Sequence, residues 1–196
     1  MWDKRYDTDE YVYGKEPNTF LVENVERLKK GRVLCVAEGE GRNAVFLARK
    51  GFDVTAVDSS SVGLKKAERL AEENGVRIRT IVSDMVHYEI RPHSWDSIVS
   101  IYAHVPRDIR VMLHRGIVSG LRKDGIFLLE AYTPEQLKYG TGGPPDITKL
   151  LELDALRKEL TGLDILLGQE IVREVVEGRL HTGMGAVVQY IGRKAE

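Results

Sequence analysis

The sequence has a single cysteine, Cys35, in 196 residues, so no disulfide can close within the chain. Nothing in it calls for an oxidising compartment, and a cytoplasmic location is the expectation. No apolar run approaches the roughly 20 residues that span a bilayer. The opening residues, Met1-Trp2-Asp3-Lys4-Arg5-Tyr6-Asp7, are too polar for a signal peptide. A membrane partner is therefore not expected. An excess of charge is missing too: 29 Lys and Arg face 30 Asp and Glu, a formal net charge of -1. Bulk binding of nucleic acid needs a clustered surplus of cations, so nucleic acid is disfavoured as a partner. Internal repeats and low-complexity tracts are absent. His87, His93 and His114 lack metal-ligand spacing and read as surface residues, so no metal is expected.

What is present suits one domain with a sizeable core: 42% of residues are hydrophobic and 30% charged. Short β-branched runs alternate with longer helical segments. Gly31 to Ala37 reads as a strand buried on both faces, followed by a helix from Arg42 to Lys50 that Gly51 stops. Phe52–Val57 is a second strand, and Ser59, Ser60 and Ser61 offer caps for a helix reaching Asn74. Strands follow at Arg77–Val82, Trp95–Ile101 and Gly125–Ala131, with helices at Arg107–Leu121 and Leu151–Leu160. Ile165–Val176 and Met184–Gly192 pair as a closing hairpin around Gly178, and Asn18 caps an early helix bearing Leu21, Val25 and Leu28. The predicted fold class is α/β: a Rossmann-like, doubly wound, mostly parallel seven-stranded sheet with a C-terminal antiparallel hairpin. In such sheets a ligand sits beyond the carboxyl ends of the strands, near the switch in strand order.

The chemistry should therefore lie at the strand ends. Strand one runs into Glu38-Gly39-Glu40-Gly41-Arg42-Asn43-Ala44, a G-x-G-x-x-A turn that opens a helix. Its glycines permit a tight turn and close approach of a ligand to the backbone. Asp58 ends strand two, 19 residues after Gly39, where a carboxylate can accept two hydrogen bonds from a ribose diol or simply cap the next helix. Asp84 and Met85 end strand three, where an acid and a thioether can meet an adenine or form a plain turn.

Beyond these residues the chain resembles the class I S-adenosylmethionine-dependent methyltransferases. Within them it is most similar to the tellurite-resistance and thiopurine methyltransferase-like group. The resemblance rests on Trp2-Asp3-Lys4-Arg5-Tyr6, Tyr13-Gly14-Lys15-Glu16-Pro17-Asn18, the Val33–Asn43 stretch and Val57-Asp58. It continues through Ser100 to Pro106 and Leu129 to Pro134. It implies one methyltransferase domain over 1–196, with 1–30 an N-terminal cover segment and helix and 31–196 the Rossmann-like core. It implies S-adenosylmethionine as cofactor and S-adenosylhomocysteine as product. Gly39 and Gly41 would face the methionine moiety, Asp58 the ribose, and Asp84 with Met85 the adenine. Asn43, Ser59 and Ile101 would complete the cofactor set, with Tyr13 closing over it. Tyr102 and His104 would stand beside the methyl group as the catalytic pair.

One departure stands out. Cys35 occupies the place of the family's usual strand-one acid, Ala37 replaces a glycine, and Glu38 precedes Gly39. Glu38 is expected to take over the polar duty near the methionine ammonium, and Cys35 to be a buried small hydrophobe. A base is needed only if the acceptor carries a proton. His104 is the candidate, its alternative being to cap the Arg107 helix or line the pocket. His181 borders the pocket or serves the hairpin turn. The Gly- and Pro-rich stretch Leu137–Asp146 reads as a lid, which favours a small-molecule acceptor over a polymer. Tellurite, selenite, a thiol or a thiopurine-like compound are the acceptors the resemblance suggests. Arg42, Arg107 and Arg179 could attract an oxyanion, though such arginines are usually solvated. Competing readings are a non-catalytic S-adenosylmethionine-binding module and a nicotinamide-dependent oxidoreductase, and the chain is expected as a monomer or homodimer.

Overall fold

Alternation of side chains along each strand decides which helices cover which face. The computed structural model describes residues 2–195, so Met1 and Glu196 of the expected domain lie outside the described residues. Its strands are β1 (Arg32–Val36), β2 (Asp53–Asp58), β3 (Arg79–Val82), β4 (Trp95–Ile101), β5 (Leu121–Tyr132), β6 (Leu163–Glu177) and β7 (His181–Lys194). They form one sheet in the order β3-β2-β1-β4-β5-β7-β6. The five from β3 to β5 pair in parallel, and β7 runs antiparallel to both β5 and β6. The expected mixed Rossmann-like sheet with its terminal hairpin is thus the observed one.

On one face, Val33, Cys35, Val54, Ala56 and Val99 pack against Phe20 and Leu21 of α2 (Thr19–Asn24), Leu47 of α3 (Arg42–Arg49) and Leu64 of α4 (Ser61–Glu73). On the other, Leu34, Val36, Val57 and Ile98 pack against Leu113 and Ile117 of α5 (Arg107–Gly120) and Leu156 of α6 (Leu153–Glu159). Both faces being covered explains why β1 runs Val33-Leu34-Cys35-Val36 without a polar break. Fully buried aliphatic side chains such as Leu34 and Ile117 each contribute roughly 2–5 kcal/mol, judged by truncation. Cys35 is fully buried, as expected.

Several boundaries differ from the sequence reading. The early helix stops at Asn24 and tightens into a 3₁₀ turn, and a short helix α1 (Trp2–Tyr6) precedes it. β3 begins at Arg79 rather than 77, and both hairpin strands are longer than expected. β5 starts early because Leu121 pairs with Trp95, after which residues 122–125 loop out before Ile126 pairs with Ser97. His114 is not a surface residue: it is buried on α5, with Nδ1 2.7 Å from Glu159. Arg42 is likewise buried rather than solvated, because Glu177 neutralises it there. No helix among the described residues is long and apolar enough to cross a membrane.

Strand order reverses between β1 and its neighbour β4, so the crevice of an open α/β sheet opens beyond their carboxyl ends. That places Ala37–Gly41 opposite Tyr102–His104.

Candidate active site

The turn after β1 is built by left-handed backbone. Gly39 has φ 65° and Gly41 φ 90°, which glycine adopts without cost, and Ala37 takes φ 51° without that freedom. Asp58 Oδ2 accepts the Gly39 N–H at 2.9 Å and Oδ1 accepts the Ser60 N–H at 2.8 Å. The helix cap itself is Ser60, whose hydroxyl accepts from Gly63. Asp58 therefore holds the turn and still has a second lone-pair site on each oxygen. Burial raises its pKa, and backbone hydrogen bonds only partly offset this.

Glu38 folds back under the turn. Its Oε1 accepts the N–H groups of Asn43 and Ala44, the unpaired donors that open α3. It lies close enough to Cys35 to push that thiol up beyond the effect of burial. An acid is thus restored beside the strand-one position from three residues downstream. Burial raises Glu38 to about 7, against the lowering effect of its two backbone donors and Arg42.

The expected cofactor residues do not all stand alike. Ile101 is buried at the end of β4, while Ser59 and Asp84 are exposed. Asp84 Oδ1 accepts the Val86 N–H within an exposed turn, and Met85 packs against the core. Asn43 Oδ1 is taken by the backbone N–H of Asn18, so it anchors the N-terminal segment.

Beyond β4 and β5 lies an aromatic group. Tyr102, with φ 53°, stacks on Tyr132 at 4.6 Å, and His104 lies parallel to Tyr132 at 5.7 Å. His181 meets Tyr102 edge-on at 4.8 Å and Tyr132 at 5.2 Å, and Tyr13 lies 4.6 Å away on its other side. His181 opens β7 instead of serving the turn. His104 Nε2 accepts the Tyr132 N–H at 3.0 Å, so one of its two nitrogens is committed to the backbone. Desolvation lowers both imidazoles to about 3: His104 also feels His181, and His181 feels Arg42 and Arg5. Tyr132 Oη and His181 Nδ1 are buried without a hydrogen-bond partner.

Beneath this group runs a charged network. Glu130, fully buried on β5, accepts from Asn18, Tyr102, Arg173 and Gln189. Glu177 pairs with Arg42 and Arg173 and accepts from Asn18. The two buried carboxylates offset the two guanidinium groups, leaving neither arginine for an incoming anion. Sequence reasoning missed Glu130, Arg173 and Glu177, because nothing in their spacing announces that β5 and β6 converge on Asn18.

Two segments cover the site. Residues 140–143 lie on the aromatic group: a Cβ on Gly142 would come within 2.9 Å of the His181 ring and 3.0 Å of Tyr132 Oη. The N-terminal segment lies across the glycine turn, with Tyr6 buried against Gly39 and Gly63. After burial, the nearby Asp58 is the largest influence raising the Tyr6 phenol. Tyr6 had no sequence signal beyond its place in the cover segment. Among the described residues no cluster of His, Cys, Asp and Glu could hold a metal ion.

Residues 33–125 match the family model described as a methyltransferase domain. The uncharacterised methyltransferase YbaJ of Bacillus subtilis is 31% identical over 120 residues, 56% of this chain and 47% of that protein. The tRNA (uracil(54)-C(5))-methyltransferase of Pyrococcus horikoshii is 24% identical across 84% of this chain and 40% of its own length. The chain spans about half or less of the length of these curated relatives. TehB from Haemophilus influenzae superposes with a TM-score of 0.76 at 19% identity, over 98% of this chain and 65% of that one. An S-adenosylmethionine-dependent methyltransferase from Clostridium acetobutylicum gives 0.70 at 16%, over 98% and 95%. These structural matches share the fold.

Proposed function

We propose that this chain, whose residues 33–125 form a methyltransferase domain of the class that uses S-adenosylmethionine as methyl donor, methylates a small uncharged acceptor such as a thiol. The observation that carries this reading is the aromatic group beyond β4 and β5, which faces the acid-anchored glycine turn and holds two unpartnered polar atoms, while Arg42 and Arg173 beside it are already paired with carboxylates. The turn suits the cofactor once the Tyr6 cover lifts from Gly39: Asp58 offers acceptor sites for a diol, and Glu38 offers a carboxylate for an ammonium. Bound there, S-adenosylmethionine supplies an electrophilic methyl carbon on a sulfonium.

The residues then have mainly to align and desolvate, which can supply roughly 7–11 kcal/mol of the barrier. Tyr132 Oη and His181 Nδ1 are placed to hydrogen-bond the nucleophile, with the uncharged His181 Nδ1 as acceptor for the proton that a thiol gives up as its sulfur takes the methyl, and Tyr102 is held still by Glu130. His104, tied through Nε2 to the β5 backbone, lines the wall rather than accepting a proton. An oxyanion such as tellurite or selenite would find Arg42 and Arg173 already neutralised and both imidazoles uncharged near pH 7. A neutral thiol meets no such penalty, since it needs no compensating charge when desolvated. The finer grouping with thiopurine methyltransferase-like enzymes rests on this preference and on the Tyr13–Asn18 motif.

Calorimetric titration of S-adenosylmethionine, S-adenosylhomocysteine and NAD into wild type and Asp58→Ala tests the cofactor. The first two should bind and NAD should not, and the variant should lose roughly 1.5–3 kcal/mol, the worth of hydrogen bonds to a charged group. Release of S-adenosylhomocysteine with small thiols, and not with tellurite or selenite, is the expected acceptor pattern. Binding of NAD instead, or turnover of the oxyanions alone, would overturn the reading.

A further inference from the structure

Lys66 lies on α4, where its sequence context, Lys65-Lys66-Ala67-Glu68, suggests a solvated helix face. Instead it is 3% exposed. A buried ammonium is costly unless it is paired and hydrogen-bonded. Here Nζ donates to the carbonyls of Thr8 at 3.0 Å and Glu10 at 2.6 Å, approaches that of Tyr6 at 3.4 Å, and lies 2.6 Å from Glu40 Oε1. Tyr11 adds its ring face 4.9 Å from Nζ and returns a hydrogen bond from its hydroxyl to the Lys66 carbonyl. One side chain thus gathers the backbone of residues 6–10 onto α4.

The carboxylate that neutralises it belongs to the glycine turn. Glu40 is the residue between Gly39 and Gly41, and its other oxygen accepts the Tyr13 N–H at 3.3 Å. Glu40 therefore grips the covering segment at both ends, through Lys66 near Tyr6 and directly at Tyr13. Just before Tyr13 the segment is fastened again, where the Arg179 N–H donates to the Val12 carbonyl at 3.1 Å. A side chain on Gly178 would overlap the Tyr13 backbone, so hairpin and segment meet main chain to main chain there.

We infer that Lys66 is a positioning residue that clasps the N-terminal segment over the cofactor turn through Glu40, and so sets how long the cofactor stays bound. This rests on the cofactor reading above. Lys66 touches neither the aromatic group nor the open side of Asp58; it acts through Tyr6 and Tyr13. The clasp is local to the turn, so any shift of Glu40 on ligand binding passes directly to residues 6–13.

The test compares wild type with Lys66→Met, which keeps the length of the side chain and removes its charge. Stopped-flow displacement measures S-adenosylhomocysteine dissociation, and hydrogen exchange measures protection of residues 2–13 with and without that ligand. Dissociation should be at least tenfold faster in the variant, and the segment should exchange faster even without ligand. Unchanged dissociation with unchanged exchange would overturn the clasp, whatever the change in melting temperature. If Lys66→Met does not fold, Tyr6→Ala reads the same cover from its tip: faster dissociation supports the clasp and an unchanged rate refutes it. Failure of wild type to bind S-adenosylhomocysteine would refute the cofactor reading instead. The ligand-free exchange comparison would then still decide whether Lys66 holds the segment.

Discussion

S-adenosylhomocysteine should bind this protein roughly tenfold more tightly at pH 7.0 than at pH 5.5, and Glu38 should be the reason. Burial holds the free carboxyl near pKa 7, so it is almost wholly protonated at pH 5.5 and half ionised at pH 7.0. A bound ammonium beside it favours the ionised form and pulls that pKa down. Binding therefore expels a proton, and affinity must rise with pH until the free carboxyl has titrated. With a bound pKa of about 5 or below, the change across this window is roughly tenfold, or ~1.4 kcal/mol. Burial raises Asp58 as well, so the comparison with Glu38→Gln is what assigns the slope to Glu38. Calorimetry at several pH values, in buffers of different ionisation enthalpy, reads both the affinity and the proton released. Glu38→Gln should flatten the slope and abolish the release above pH 5.5. A flat wild-type profile, or the same slope in the variant, would show that Glu38 does no more than cap α3.

Three further outcomes follow from the geometry. Burial raises Glu159, but hydrogen bonds from His114 and Arg110 outweigh it and lower the group to about 2. Its stabilisation is present above the unfolded value of 4.5 and is lost as pH falls toward 2, so acid unfolding should begin in that window. Glu159→Gln, measured by urea unfolding at pH 7, should cost about 3 kcal/mol, and a cost under about 0.5 would show that the cluster is not coupled to folding. Gly142→Ala should raise the acceptor KM several-fold while leaving S-adenosylhomocysteine affinity within twofold, because the added Cβ, at a positive φ, meets the Leu180 carbonyl, His181 and Tyr132 and pushes residues 140–143 off the aromatic group without touching the glycine turn. Equal losses in both would place residues 140–143 outside acceptor binding. Ala37→Gly should leave stability equal or raise it by up to about 1 kcal/mol, since relief of left-handed strain exceeds or matches the added chain entropy. A clear loss in thermal denaturation would mean the alanine methyl packs usefully.

The sheet was legible because burial on both faces writes itself as apolar runs. β1 is such a run, and the residues that follow it and β4, Ala37–Gly41 and Tyr102–His104, are where the crevice opens. The glycine turn and Asp58 were legible for a related reason: left-handed turns and strand-end acids leave one-letter signatures at fixed spacing. The charged network was not. Glu130, Arg173 and Glu177 come together only because β7 inserts between β5 and β6, and no local pattern states that order. His114 misled for the opposite reason: it is buried by a partner far along the chain, Glu159, that no local pattern names. His181 fell between the two cases. Its place near a turn was readable, but its inward direction depends on the register of Glu177 against it across the hairpin.

The grip of Asn18 on Glu130 and Glu177 also governs the order in which the molecule can be completed. Asn18 is made early, and its partners lie 112 and 159 residues further on. At translation rates of about 5–20 residues per second, the wait for Glu177 is roughly 8–30 s. Until then the Asn18 side chain lacks its carboxylate partners, although its N–H has Asn43 and residues 6–13 have Lys66 and Glu40. β1 to β4 likewise have neighbours made soon after them. The parallel strands and the segment before them can therefore assemble while the chain is still emerging, and the charged network closes only when β6 and β7 arrive.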